Sequence, residues 1–144
     1  MKFLNSVASP WRAAVLALVL TGALAASAAA AVSELTIDPT AQLSPGRLQA
    51  TLTGTVTCDP GTTAFLDGQI VQPKDASGFG FTQVTCDGTA QAFAIDVRAG
   101  GFFGGSPGVF KAGKASAQVS TFQCDPVTWM CTSQSTDAII RLTK

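Results

Sequence analysis

Histidine and tyrosine are both missing from this 144-residue chain, and Glu34 is its only glutamate. Without histidine the commonest general base is gone, and with it most nucleophile–base triads. A glycosidase would have to work with a pair of aspartates at a fixed separation, and no spacing in the sequence singles out such a pair. Charge is sparse at 12% of residues. The bases beyond the first stretch, Arg47, Lys74, Arg98, Lys111, Lys114, Arg141 and Lys144, are scattered. They form no basic stripe that would suit nucleic acid and no basic amphipathic helix that would suit a membrane surface. There is no Rossmann fingerprint and no P-loop. Gly100-Gly101-Phe102-Phe103-Gly104-Gly105 has the glycines of a phosphate loop but neither its lysine nor its flanking helix. The expectation is a protein that is not an enzyme and uses no cofactor.

Long hydrophobic runs are confined to the beginning. Lys2 and Arg12 precede the apolar segment Ala13-Ala14-Val15-Leu16-Ala17-Leu18-Val19-Leu20. Small residues follow, and Ala26-Ser27-Ala28, Ala28-Ala29-Ala30 and Ala29-Ala30-Ala31 each satisfy the A-x-A cleavage rule. The strongly apolar part is shorter than the roughly 20 residues a membrane span requires. Residues 1–31 are therefore expected to be a signal-peptide helix that is removed, and residues 32–144 a single exported domain with no membrane attachment. Subtracting Lys2 and Arg12 leaves seven basic residues against nine acidic ones. The expected location is extracellular, and the expected state is a monomer.

What the sequence does contain is a repeated phrase. Cys58-Asp59-Pro60, Cys86-Asp87-Gly88 and Cys124-Asp125-Pro126 each end an alternating run, and Cys131 follows the last closely. Four cysteines in a small exported chain point to two disulfides. Zinc lacks support, because there is no histidine and the Cys124 to Cys131 spacing is too wide for a knuckle.

The alternation has the period of β-strands. Leu48, Ala50, Leu52, Gly54, Val56 and Cys58 share one face, and Gln49 with four threonines shares the other. Thr62 to Gln72 places Ala64, Leu66, Gly68 and Ile70 opposite Phe65, Asp67, Gln69 and Val71. Gly78 to Cys86 carries Phe79 and Phe81 on one face. Asp87-Gly88 marks a hairpin into Thr89–Arg98, with Phe93, Ile95 and Val97 inward. Residues 99–113 hold six glycines and a proline and read as a loop. Alternation resumes at Ala115, slips by one before Phe122 and Cys124, which predicts a bulge, and ends with Ala138, Ile140 and Leu142. Glu34 to Asp38 reads as a short first strand. About seven strands at this spacing predict an all-β fold, an immunoglobulin-like antiparallel β-sandwich first and a small barrel second.

If consecutive strands are antiparallel neighbours, the strands ending at Cys58, Cys86 and Cys124 all run the same way. The four cysteines then gather at one end. The favoured pairing is Cys58–Cys86 with Cys124–Cys131. Cys58–Cys124 with Cys86–Cys131, after the pattern of immunoglobulin domains, is the alternative, and sequence does not decide between them. Asp59, Asp87 and Asp125 gather at the same end, an arrangement that could hold calcium. The simpler reading is that each aspartate begins a turn by hydrogen-bonding its own backbone, and no metal is expected.

Two features offer binding surface. One is the glycine-rich loop with Phe102, Phe103 and Phe110. The other is Trp129 with Met130, inside the short loop that Cys124–Cys131 would close. An apolar ligand held between the sheets would instead use Phe79, Phe81 and Phe93.

The phrases Leu52-Thr53-Gly54-Thr55-Val56-Thr57-Cys58, Val84-Thr85-Cys86-Asp87-Gly88-Thr89-Ala90 and Lys111-Ala112-Gly113-Lys114-Ala115 resemble small exported proteins of unknown function from high-GC Gram-positive bacteria. That resemblance covers most of residues 32–144 and implies an immunoglobulin-like fold with no assigned activity. A more distant similarity, at the level of fold alone, is to the secreted apoproteins that carry enediyne chromophores. The expected roles are an interaction module for a protein or envelope partner or, alternatively, a carrier of a small apolar ligand.

Overall fold

The structure is a computed structural model, and it describes residues 31–100, 108–124 and 129–144. The expected signal-peptide helix lies outside the described residues. Eight strands follow in order: β1 (Val32–Ile37), β2 (Thr40–Leu43), β3 (Gln49–Cys58), β4 (Thr63–Gln72), β5 (Ala76–Thr85), β6 (Ala90–Ala99), β7 (Gly113–Cys124) and β8 (Cys131–Thr143). The all-β expectation holds.

The ladder closes on itself. β3 pairs with β6 along its whole length on one side and with β1 and β2 in succession on the other. β2 continues to β8, and β7, β4 and β5 complete the circuit back to β6. The chain therefore forms a ring of seven strand positions, with β1 and β2 sharing one. The immunoglobulin-like sandwich was expected as two sheets, whereas here a continuous hydrogen-bonded ladder links them. Two joins in it are short. β5 meets β6 only through Gly78–Ala99 and Phe79–Arg98, and β2 meets β8 through Thr40–Arg141, Ala41–Leu142 and Gln42–Thr143.

The break between β1 and β2 has a local cause. Proline has no N–H to give to a ladder. At Asp38-Pro39 the backbone turns from β3 toward β8: Asp38 N–H still donates to Thr53 O (2.9 Å), while Pro39 O accepts from Arg141 N–H (2.8 Å). Sequence alternation did not reveal β2, because only four residues separate Pro39 from the turn at Ser44-Pro45.

The interior is filled by the residues that alternation selects. Leu52, Leu66, Ile70, Ile95 and Val119 are each at most 1% exposed. Leu48, grouped with the inward face of β3, is instead exposed, just before the strand begins. β7 corrects the expected bulge. Its register is unbroken against both β4 and β8. Inward positions run Ala115, Ala117, Val119, Thr121, Gln123, so Phe122 and Cys124 face outward. The slip inferred from the sequence came from assigning the large apolar side chain to the core. The core takes two polar ones instead: Thr121 Oγ1 donates to Gln134 O (3.4 Å), and Gln123 Nε2 donates to Thr62 Oγ1, while Gln123 Oε1 is buried without a hydrogen-bond partner among the described residues.

β5 carries the second correction. Its first inward residues after Ala76 are Gly78 and Gly80. A Cβ at Gly80 would stand 2.3 Å from Asp96 O, and one at Gly78 would stand 2.4 Å from Arg98 O. β6 backbone approaches so closely that only glycine fits. The phenylalanines of β5 therefore project from the opposite side, and Phe81 is 81% exposed. Phe79, Phe81 and Phe93, which a ligand between the sheets would use, are not brought together, since of the three Phe93 alone is buried in the core.

Candidate functional site

Cys58 bonds Cys86, and Cys124 bonds Cys131. Strand sense places both at one end of the ring, as the sequence implied. Cys58 and Cys86 are buried in the core, whereas Cys124 and Cys131 are a register pair on the outer face of β7 and β8. Next to the outer bridge, Trp129 is 82% exposed and Met130 is 64% exposed. Trp129 adopts φ 57°, a left-handed conformation unusual for a bulky residue.

Of the aspartates in the cysteine turns, Asp87 does turn chemistry, whereas the Asp59 side chain bonds a distant residue. Asp87 Oδ1 accepts from Thr89 N–H (2.8 Å) and Thr89 Oγ1 (2.7 Å), and these bonds hold its carboxyl below the usual range. Asp59 Oδ2 accepts from Ala31 N–H (2.8 Å). Asp125 lies outside the described residues. No group of three or more His, Cys, Asp or Glu side chains that could hold a metal occurs among the described residues.

The two loop candidates fare differently. Phe102 and Phe103 lie outside the described residues. Phe110 is fully buried, and its N–H donates to Arg47 O (2.8 Å). It is a core residue of the segment that re-enters the barrel, not a contact surface. Gln72 fixes that segment: its amide accepts from Lys111 N–H (2.8 Å) and donates to Lys111 O (2.9 Å) and Lys114 O (3.3 Å).

A surface not anticipated from the sequence comes from the outward sides of β5, β4, β7 and β8. Cross-strand register sets its rows. Gln83, Phe65, Phe122 and Ser133 form one, and Phe81, Asp67, Ser120 and Ser135 the next. Phe79, Gln69, Gln118 and Asp137 follow, then Ser77, Val71, Ser116 and Ile139. The aromatics run diagonally, from Phe79 and Phe81 through Phe65 and Phe122 to the Cys124–Cys131 bridge. With 3.3 Å per residue and 4.8 Å between strands, that track is roughly 25 Å long. Phe65, Phe81, Phe122, Trp129 and Met130 are each at least half exposed. The three phenylalanines among them that lie on the track expose roughly 350 Å² together, within the range for the largest apolar patch on a monomer, about 300–600 Å².

Beside the track the face turns polar. A shallow depression of about 420 Å³ lies over Gln69, Gln118, Asp137 and Ile139. Asp67 stands where track and polar ground meet. Desolvation by burial pushes its carboxyl above the usual value, against a smaller opposing contribution from its own backbone hydrogen bond. The signal for this surface was present in part: Phe65, Asp67, Gln69 and Val71 do share the side away from Ala64 and Leu66. Assembling the track also needed the inward glycines of β5 and the unbroken register of β7.

No protein-family model and no curated protein matches the chain.

Proposed function

We propose that this is a secreted, non-enzymatic interaction module whose contact surface is the outward face of β5, β4, β7 and β8. One observation carries the reading: an exposed diagonal of phenylalanines that the core does not need. A soluble domain gains nothing in stability from leaving these rings in water, so a patch of this size marks a site of contact. Export is supported by the two disulfides, which persist in oxidising compartments, and by the leader-like first residues. An immunoglobulin-like arrangement is supported by the two short joins, β5–β6 and β2–β8, which leave β1, β2, β3 and β6 as one curved group and β4, β5, β7 and β8 as another. The carrier reading loses its expected pocket, because Phe81 projects into solvent and the inward positions are filled.

The test is affinity capture from the medium in which the protein is found. The wild-type chain and a Phe65→Ser, Phe81→Ser, Phe122→Ser variant serve as baits, after circular dichroism has shown that the variant is folded. A component held by the wild type and lost by the variant is the expected result. Equal retention on both baits, or capture by neither, would remove this face as the contact surface.

A further inference from the structure

The charges on the outward face are unevenly placed. Asp67 on β4 faces Phe81 across β5 and Ser120 across β7, neither of which is charged. Asp137 on β8 lies opposite Gln118. The cations that share this face, Lys114 and Arg141, oppose one another beyond the Ser116–Ile139 row. Along β8, Arg141 is roughly 13 Å from Asp137. The ion pair found among the described residues, Lys111–Asp75, is elsewhere. Asp67 is thus a partly desolvated carboxylate among phenyl rings, with no cation beside it among the described residues. Removing a charge from water is costly unless a counter-charge is supplied.

We infer that the partner is a polypeptide segment that alternates apolar and basic side chains, its apolar groups on Phe65, Phe81 and Phe122 and a lysine or arginine at Asp67. This rests on the reading of the face as a contact surface. Length selects a polymer, because a 25 Å track accommodates about seven or eight extended residues. Charge then selects among polymers. A second copy docked face to face would bring Asp67 and Asp137 toward their own counterparts, and like charges at a contact cost several kcal/mol. Anionic lipid and nucleic acid meet the same repulsion. A basic side chain meets none, and an arginine there would both pair with the carboxylate and stack on a ring.

The test titrates the purified, oxidised protein with three synthetic octapeptides, alternating Leu-Arg, Leu-Gln and Leu-Glu, followed by Trp129 fluorescence and calorimetry. The Leu-Arg peptide is expected to bind at least tenfold more tightly than Leu-Gln, with Leu-Glu weakest. Asp67→Asn should cut Leu-Arg affinity at least tenfold and leave Leu-Gln unchanged, whereas Phe81→Ser should weaken both. Arg141→Gln, on the same face but distant from Asp67, should leave the order of the three peptides unaltered. Equal binding of Leu-Arg and Leu-Gln, or an Asp67→Asn variant that binds Leu-Arg as the wild type does, would overturn the basic partner and leave the aromatic face standing. Failure of all three peptides, together with binding of a neutral oligosaccharide such as cellohexaose that Phe81→Ser abolishes, would overturn it in favour of a carbohydrate. Failure of every probe overturns it outright, and the capture experiment then judges the face itself.

Discussion

At the scale of single residues, Gly80 and Asp67 show what the face costs. Gly80 is the inward partner of outward Phe81, and the space its missing side chain leaves is occupied by Asp96 O and the Ile95 side chain. Gly80→Ala must push β5 away from β6. The expected loss is about 1–3 kcal/mol, read as a lower urea midpoint. Gly46→Ala, at a site with nothing within 4 Å, should change stability by less than about 0.5 kcal/mol. Equal midpoints for the two variants would refute the close approach. Asp67 acts through protons. Its folded carboxyl holds a proton more tightly than the unfolded chain does, so folding is favoured most below the ordinary value near 3.8. That advantage is lost as pH rises through the raised folded value. Asp67→Asn should therefore melt higher than wild type at pH 7, with the difference disappearing by pH 3; a variant that melts lower at pH 7 would contradict this. A site that weakens its own fold while exposing a carboxylate is one where binding and stability pull in opposite directions. Asp87 runs the other way: its lowered carboxyl contributes above the ordinary value, and that contribution fades as pH falls.

Among the elements, the two disulfides differ in what they join. β3 and β5 share no ladder, and Cys58–Cys86 joins the end of β3 to the residue just after β5, across 28 residues. Cys124–Cys131 joins neighbours already in register, across seven. Loop-closure entropy puts the first at about 3–4 kcal/mol and the second at about 2–3 kcal/mol. Replacing Cys58 and Cys86 with alanine should lower stability more than replacing Cys124 and Cys131. Mild thiol treatment followed by mass mapping should find the exposed outer bridge opened first; prior opening of the buried bridge would contradict this ordering. The same elements show what was legible. β3 and β4 could be read directly, because threonine or polar residues alternate with small and aliphatic ones. The gathering of the cysteines at one end followed from strand parity alone. β5 and β7 misled where side-chain size was taken as a measure of burial: glycine fits under β6 where phenylalanine cannot, and Gln123 finds a partner in Thr62, 61 residues away. β2 was invisible because its pairing with β8 is set by the far end of the chain.

As a whole molecule, the protein carries both cross-links at one end, and the exposed aromatics of β5, β4, β7 and β8 run up to the outer one. The candidate surface was only partly legible, since a track across four strands exists only when three separate registers agree. The join between β2 and β8 has a further consequence. Ala41 takes its place in the ring beside Leu142, and its carbonyl accepts from Thr143 Oγ1 across 102 residues. Contacts of such separation make folding slow, because a long loop must close before they reward it. The early strands can pair among themselves, but the ring cannot shut until Leu142 is present. β8 is the clasp: strands paired earlier become a closed ring only when it docks beside β2.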